Sequence, residues 1–141
     1  MGFQKGKGLE FKYEYDFAVS GGAISSIALV CKDVNPLVSG MIITDFSIVV
    51  ETTLASLGTP TVTFGNAGDA DGYAIDFYAA AVSGAVLARG QQAGALVWDD
   101  TNDAAIYHKI SSSANAIPKI AIGTAAVTAG KFQVYIKAFR P

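Results

Sequence analysis

Few residues in this 141-residue chain have the side chains that catalysis usually needs. His108 is the single histidine, which excludes metal sites built from two or three histidines, and no Gly-x-Ser-x-Gly motif supplies a hydrolytic nucleophile. Cys31 is the single cysteine, so no intrachain disulfide is possible and folding in a cytosol is consistent with the sequence. We expect His108 to be a partly exposed strand residue and Cys31 to fill space in the core. The sequence therefore predicts that the protein is not an enzyme.

Two acidic turns are the strongest metal-like signals. Asp69 and Asp71 have the spacing found in the first half of a calcium-binding loop. The closing carboxylate of such a loop would fall on Tyr78, which has none, so we expect a solvated turn and no cofactor. The second turn contains three aspartates, Asp99, Asp100 and Asp103. Calcium that bridges the two turns across a subunit contact is an alternative.

Aromatic side chains and overall charge give two further tests of function. Tyr13, Tyr15 and Trp98 could form a platform for sugars or bases, but aromatics at strand spacing are typical of a core. A net charge of −2 and a pI of about 5.2 argue against broad nucleic-acid binding. No apolar run approaches the roughly 18 to 20 residues that cross a bilayer. We expect neither a nucleic acid nor a membrane as partner.

The chain is poor in charge for its size. Charged residues make up 16% of it and hydrophobic residues 51%, whereas globular domains average about 25% charged residues. Few charges are left to cover the exterior, and exposed apolar patches usually mark interaction sites. We therefore expect copies of the chain to bury apolar strand faces against one another.

One stretch near the start indicates the fold class. From Leu9 to Phe17 large apolar and charged residues alternate, which is the period of a β-strand with one buried face. We predict a first strand over 9–19 and a hairpin turn at 20–22, followed by a second strand over 23–30. The bulky side chains on one strand face need an opposing layer, so a second sheet is expected.

Turn signals divide the rest of the chain into short strands. A long third strand is predicted over 41–54, with apolar residues on both faces near its middle, and a fourth over 61–64. An irregular insertion with a short helix is predicted over 67–94. The remaining predicted strands are 95–98, 104–110, 117–122 and, after a break at 128–130, 131–139. About eight strands without a long helix predict an all-β fold, an antiparallel β-sandwich of jelly-roll or Greek-key type, with a single domain over 9–141.

Residues 1–8 are predicted to be a flexible arm, because three glycines interrupt them and they contain little apolar surface. Phe3, Lys5 and Lys7 are its candidate partner-binding residues, since they provide one apolar anchor and two positive charges. We expect another protein surface to hold the arm in place. An arm folded back along its own sheet is the alternative.

Three segments of the chain resemble those of a known family. They are residues 15–23 (YDFAVSGGA) with the apolar positions that follow them up to Leu29, residues 52–54 (TTL), and residues 128–135 (TAGKFQVY). In these segments the chain is similar to a family of small structural proteins from the virions of tailed bacteriophages. The likeness covers both ends of the chain and is thin between residues 67 and 122.

This resemblance implies a capsid decoration, or cement, protein that sits on the outer shell as a trimer. The implied partners are the major capsid protein and further copies of the chain, and the implied location is the capsid exterior of the virion, after synthesis in the host cytoplasm. The family has no catalytic residues to transfer to this sequence. The alternative function is a tail or head-fibre adhesin module that binds host glycans through exposed aromatics such as Trp98.

Overall fold

The computed structural model describes residues 8–88 and 108–141, which form two antiparallel β-sheets around one hydrophobic core. The strands are β1 (Gly8–Asp16), β2 (Ser26–Ala28), β3 (Val30–Cys31), β4 (Ile42–Ser56), β5 (Thr61–Gly65), β6 (Val86–Ala88), β7 (His108–Lys109), β8 (Lys119–Gly123) and β9 (Val127–Phe139). The helices are short: α1 (Phe17–Ser20) and two 3₁₀ helices, Tyr78–Ala80 and Ala114–Ala116.

The larger sheet has the strand order β3-β1-β9-β4-β6, and β7 also pairs with β4. The smaller sheet has the order β2-β8-β5. At the centre of the larger sheet, β9 pairs with β1 from Gly8–Phe139 to Asp16–Lys131, and with β4 on its other side. The predicted all-β antiparallel sandwich is confirmed, with nine strands in the described residues where about eight were expected for the whole chain.

The core lies between the two sheets. Phe11, Tyr13 and Tyr15 of β1 are at most 3% exposed, as the alternation of the first strand predicted. Phe46 of the larger sheet meets Phe64 of the smaller sheet edge to face, with ring centroids 5.6 Å apart. Large side chains from both sheets thus interdigitate, and this burial is the main favourable contribution to folding.

The first strand ends earlier than predicted. Asp16 caps α1, because its Oδ1 accepts a hydrogen bond from the Ala18 N–H at 3.0 Å. Gly21 then ends the turn with a φ of 73°, which favours glycine. The predicted strand over 9–19 is therefore wrong beyond Asp16, where a local cap outweighs the apolar alternation.

The predicted second strand divides between the two sheets. β2 pairs with β8 of the smaller sheet, with Ser26 opposite Ala121, whereas β3 pairs with β1, with Cys31 opposite Tyr13. Between them, the Leu29 N–H donates to the Pro118 carbonyl at 2.9 Å. The hairpin prediction was wrong for most of 23–30, because only the two residues of β3 pair with β1.

A β-bulge explains why apolar residues occur on both faces of the third strand. Ile43 lies opposite Ala138 and Asp45 opposite Lys137, so Thr44 is an extra residue on β4. The bulge moves Phe46 to the same buried face as Ile43, although the two are three positions apart. The mixed pattern therefore reflects a change of register.

The predicted break at 128–130 is absent, and β9 runs without interruption from Val127 to Phe139. Gly130 has a φ of 140°, and a Cβ placed on it would lie 2.2 Å from Leu54 Cδ2. The glycine thus allows two strands to approach closely where the sequence pattern indicated a turn.

The irregular insertion is described as far as Ala88. It contributes the 3₁₀ helix Tyr78–Ala80 and buries Tyr73, Phe77 and Ala81 in the core before it reaches β6. The predicted strand over 95–98 lies outside the described residues, as does most of 104–110. The last residues of the latter form β7, which pairs with β4 at Ile42 and Ile43.

The outer face of the larger sheet holds charged residues that neutralise one another. Gln133 of β9 is 8% exposed and donates from Nε2 to Glu14 Oε2 at 3.1 Å and to Glu51 Oε2 at 2.9 Å. Lys131 Nζ lies 3.6 Å from Glu51 Oε2, and Lys32 Nζ lies 3.8 Å from Glu14 Oε1. Opposite charges on adjacent strands stabilise the sheet modestly and occupy much of its polar surface.

Candidate interaction surface

Three loops meet at one end of the sandwich and form what we call the uncharged end. They are residues 17–25, 56–60 and 123–126. Strand pairing sets the second loop beside the third, because Thr61 lies opposite Gly123 and Ser56 opposite Val127. The first loop joins them through the Ile122 N–H, which donates to the Ser25 carbonyl at 2.9 Å.

Backbone groups and one hydroxyl hold these loops together. The Val127 N–H donates to the Gly22 carbonyl at 2.8 Å. The Ser56 hydroxyl donates to the Ala126 carbonyl at 2.6 Å and accepts from the Gly58 N–H at 3.1 Å. Gly22 is required for this approach, because a Cβ on it would lie 2.1 Å from the Val127 oxygen. Backbone groups and the Ser56 hydroxyl thus join the three loops, and the Asp16 carboxylate caps the start of the first one.

Large aliphatic side chains project from the uncharged end into solvent. Leu57 is 98% exposed, Val19 74% and Ile24 58%. Thr124 in the third loop has a φ of 71°, a conformation that is unusual for a β-branched residue and costs on the order of 1 to 3 kcal/mol. Exposed apolar groups on loops around a strained residue are the features expected of a contact surface.

Charge is absent from this whole region of the chain. No Asp, Glu, Lys or Arg occurs in residues 17–31, 52–68 or 120–130, the segments that supply the three loops and their flanking strands. Contact between the three loops and another surface would bury no charged residue of the loops themselves, and burial of an unpaired charge is costly. The signal was present in the sequence as three charge-free runs, but the topology is needed to show that they meet.

Tyr15 lies beneath the uncharged end, and its hydroxyl donates to the Gly21 carbonyl at 2.6 Å. Burial raises the pKa of Tyr15 to about 12, and the nearby Asp16 carboxylate adds to the increase. The phenol therefore stays neutral at physiological pH, so it adds no charge to this end.

A polar pocket of about 280 Å³ lies at the opposite end of the sandwich. Its lining brings together two of the residues that the sequence singled out, Asp69 and His108, with Asn66, Tyr73 and Asn115. Strand β5 ends at Gly65, directly before this pocket. The structure thus brings a carboxylate, an imidazole, a phenol and two amides together at this end.

Asn66 organises the loop around the polar pocket. It is 6% exposed, and its Oδ1 accepts from the N–H groups of Gly68 at 2.9 Å and Asp69 at 3.1 Å. Its Nδ2 donates to the Tyr73 hydroxyl at 3.0 Å and lies 3.5 Å from His108 Nε2. These contacts fold the loop back on itself, which is a structural role typical of a buried Asn in a turn.

Tyr73 is neutral in this pocket. Burial raises its pKa to about 12, the hydrogen bond from Asn66 acts in the opposite direction, and the Asp69 carboxylate raises it further. Such a phenol is not a base or nucleophile near neutral pH.

Asp69 and Asp71 stabilise their own turn, because Asp69 Oδ1 accepts from the Asp71 N–H at 3.4 Å. Within residues 8–88 and 108–141, no three His, Cys, Asp or Glu side chains come together in an arrangement that could hold a metal ion. The second acidic turn lies outside the described residues, so calcium bridging of the two turns stays a hypothesis. Its members are Asp99, Asp100 and Asp103.

The structure places the remaining predicted residues as follows. Cys31 is only partly buried, although it packs against the core as expected, and its thiol donates to the Asp33 carbonyl at 3.6 Å. His108 is partly exposed in β7, as predicted. Trp98 and the arm residues lie outside the described part of the chain; the latter are Phe3, Lys5 and Lys7. None of the helices in the described residues has the length and apolar character needed to cross a bilayer.

Comparison with solved structures finds a similar fold in a bacteriophage particle. The chain matches one chain of the cyanophage Pam1 capsid asymmetric unit with a TM-score of 0.60 and 22% sequence identity. The match covers 100% of this chain and 89% of that chain. The structural similarity shows a shared fold. No protein-family model and no curated protein matches the sequence.

Proposed function

We propose that this chain is a structural, non-enzymatic protein of a bacteriophage virion, and that it decorates the outer surface of the capsid shell. One observation carries the proposal: the whole chain shares its fold with a chain of a phage capsid asymmetric unit. The virion-protein segments at 15–23 and 128–135 support the same class. The implied partners are the major capsid protein and further copies of this chain, grouped as trimers.

The uncharged end supports a binding role and supplies the surface for it. Val19, Ile24 and Leu57 place aliphatic side chains in solvent on loops that lack charge. Burial of apolar surface contributes about 25 cal/mol for each Å² removed from water. In contrast, the outer face of the larger sheet carries charged residues, among them Lys131 and Glu51, whose Nζ and Oε2 atoms lie 3.6 Å apart. We therefore assign contact with the shell to the uncharged end.

The experiment adds purified protein to capsid shells that lack it and measures binding by sedimentation, with the position then determined by electron cryomicroscopy. We expect density on the shell exterior, in groups of three, with the uncharged end towards the shell. Density at a fibre tip would contradict decoration and favour the adhesin alternative. Failure to bind any part of the particle would contradict both functions.

A matched pair of variants tests the surface itself. Ile24 at the uncharged end and Val86 on β6 are both 58% exposed, so aspartate at either site should leave the fold intact. Ile24→Asp would bury a charge in the contact and should weaken shell binding by at least about tenfold. Val86→Asp should bind as the unmodified chain does. Equal binding by the two variants would show that the shell contacts another surface.

A further inference from the structure

One edge of the smaller sheet is open in the described part of the chain. β2 pairs with β8 on one side, and no described strand lies on its other side. The far edge of this sheet is covered, because the Phe64 N–H of β5 donates to the Ala74 carbonyl at 2.9 Å. The Val62 N–H of β5 likewise donates to the Asp76 carboxylate at 2.9 Å. The two edges therefore differ in whether their backbone groups have partners.

The hydrogen bonds of β2 show which of its backbone groups face outwards. Ser25 accepts from an N–H of β8, and the Leu29 N–H donates to the residue before β8, each at 2.9 Å. Backbone groups that face an antiparallel neighbour come from every second residue. The N–H and carbonyl groups of Ser26 and Ala28 therefore point away from β8, and both residues are exposed.

This edge lacks the side chains that usually keep strand edges apart, such as lysine or proline. Residues 17–31 contain no charged residue, and the only protection of β2 is its length of three residues. Ile27 packs against the core but is only partly buried, and Val30, which follows on β3, is 43% exposed. A strand added at this edge would cover more of the Ile27 side chain.

We propose that the β2 edge binds the β2 edge of a second copy of this chain, in an antiparallel pair centred on Ile27. In this register Ser26 lies opposite Ala28 of the second copy, and the N–H of each donates to the carbonyl of the other. The smaller sheets of the two copies then form one continuous sheet. The contact is twofold, so each copy presents the same surface to the other.

The absence of charge favours a second copy as the occupant. In a twofold contact, a charged side chain near the axis meets its own copy, and like charges on paired strands repel. The β2 edge brings no such charges together. Lys119 of β8 lies opposite Ala28, but three strand spacings, roughly 14 Å, separate it from Lys119 of the second copy, which exceeds the screening length of about 8 Å.

This inference goes beyond the proposed function. A twofold contact is separate from the grouping in threes, and it is a property of the isolated protein. Its failure would leave shell binding unaffected, and a failure of shell binding would leave the edge contact unaffected.

Cysteine cross-linking tests the register. In a Cys31→Ser background, Ile27→Cys sets two residues directly opposite each other, at a Cα separation of roughly 4.5 Å that suits a disulfide. Ala28→Cys is the matched control, because its two copies lie diagonally, roughly 7 to 8 Å apart. We expect Ile27→Cys to form covalent dimers at least about tenfold faster under mild oxidation. Non-reducing electrophoresis gives the rates, and circular dichroism checks that each variant is folded.

Two results of the cross-linking would overturn the proposal. Equal rates for the two cysteine variants, or faster cross-linking of Ala28→Cys, would mean that the edges do not pair about Ile27. An Ile27→Cys thiol that forms no dimer in solution but is protected from a maleimide by added shells would mean that a strand of the shell protein occupies the edge.

Charged variants of the edge give a second test that keeps Ile27 intact. One double variant is Ser26→Lys, Ala28→Lys and the other is Ser26→Glu, Ala28→Glu, both at exposed positions where substitution should preserve the fold. Like charges would oppose each other in either variant alone, so each should self-associate at least about tenfold more weakly than the unmodified chain in sedimentation velocity. An equimolar mixture should restore association, because opposite charges then face each other. Association that either variant keeps by itself, or a mixture that stays as dissociated as its components, would overturn the proposal.

Discussion

The two ends of the sandwich are closed by different means. At the uncharged end, backbone groups and the Ser56 hydroxyl join three loops, and aliphatic side chains such as Leu57 point outwards. At the opposite end, the buried Asn66 side chain folds the loop after β5 around a polar pocket. The paired strands β5 and β8 run from one end to the other, with Thr61 opposite Gly123 at the uncharged end and Gly65 opposite Lys119 at the other.

Polar side chains stabilise the loop at one end, whereas aliphatic side chains at the other end are exposed and available for contact. Around Asn66 the polar groups hold one another, and Tyr73 and Asp69 are part of that arrangement. At the uncharged end, backbone groups, the Ser56 hydroxyl and the Asp16 cap hold the loops, and the side chains of Val19 and Ile24 are exposed. A loop closed by its backbone can present an apolar surface without loss of its own structure.

The largest effect is expected from glycines that allow close approach at each end. A Cβ on Gly22 would lie 2.1 Å from the Val127 oxygen, and a Cβ on Gly65 would lie 2.0 Å from the Asp69 oxygen. Because backbone must move in both cases, Gly22→Ala and Gly65→Ala should each lower the free energy of unfolding by about 3 kcal/mol or more. Urea denaturation measures this.

Gly8→Ala is the control, since no atom lies within 4 Å of its Cβ position. It should change stability by less than about 0.5 kcal/mol. If Gly22→Ala were as stable as Gly8→Ala, the close contact between the first loop and the start of β9 would be disproved.

Intermediate effects distinguish the two modes of loop closure. Asn66→Ala removes the acceptor for two N–H groups and the donor to Tyr73 in a buried site, which should cost about 2 to 3 kcal/mol. Ser56→Ala removes one hydroxyl at a partly exposed site and should cost about 1 kcal/mol. Thermal denaturation of both variants gives the comparison. A larger loss of stability for Ser56→Ala than for Asn66→Ala would mean that side-chain hydrogen bonds matter more at the uncharged end, which would contradict this comparison.

The smallest effect at neutral pH concerns the buried phenols of the two ends. Burial raises the pKa of Tyr15 and of Tyr73 from 10.0 to about 12, so the folded state holds each proton more tightly than the unfolded chain does. Their contribution to stability is complete below pH 10 and is lost as the pH rises from 10 towards 12. Unfolding free energy should therefore fall above pH 10.

Phenylalanine variants test this dependence at each end separately. Tyr15→Phe and Tyr73→Phe each remove one titrating group, so each should show a shallower alkaline decrease than the unmodified chain. Denaturation in urea between pH 8 and 12 measures the slope. An unchanged slope in Tyr73→Phe would mean that this phenol is not protected from ionisation in the folded state.

The sequence alone predicted the fold class and the positions of the long strands β1, β4 and β9 along most of their length. The alternation from Leu9 to Asp16 is a local property of the chain, and it predicted the buried face of β1 correctly. Turn residues are also a local signal, and they predicted the ends of β4 and β5 to within two residues. The low content of charge also indicated an interaction surface, although it did not locate one.

Tertiary contacts decided the rest. The split of residues 23–30 between two sheets, the bulge at Thr44 and the continuity of β9 through Gly130 each depend on a partner strand far away in sequence. The uncharged end has the same origin. Its three charge-free runs are visible in the sequence, but only the pairing of β5 with β8 and of β4 with β9 brings them together, because position in a sheet is fixed by long-range hydrogen bonds that no local pattern records.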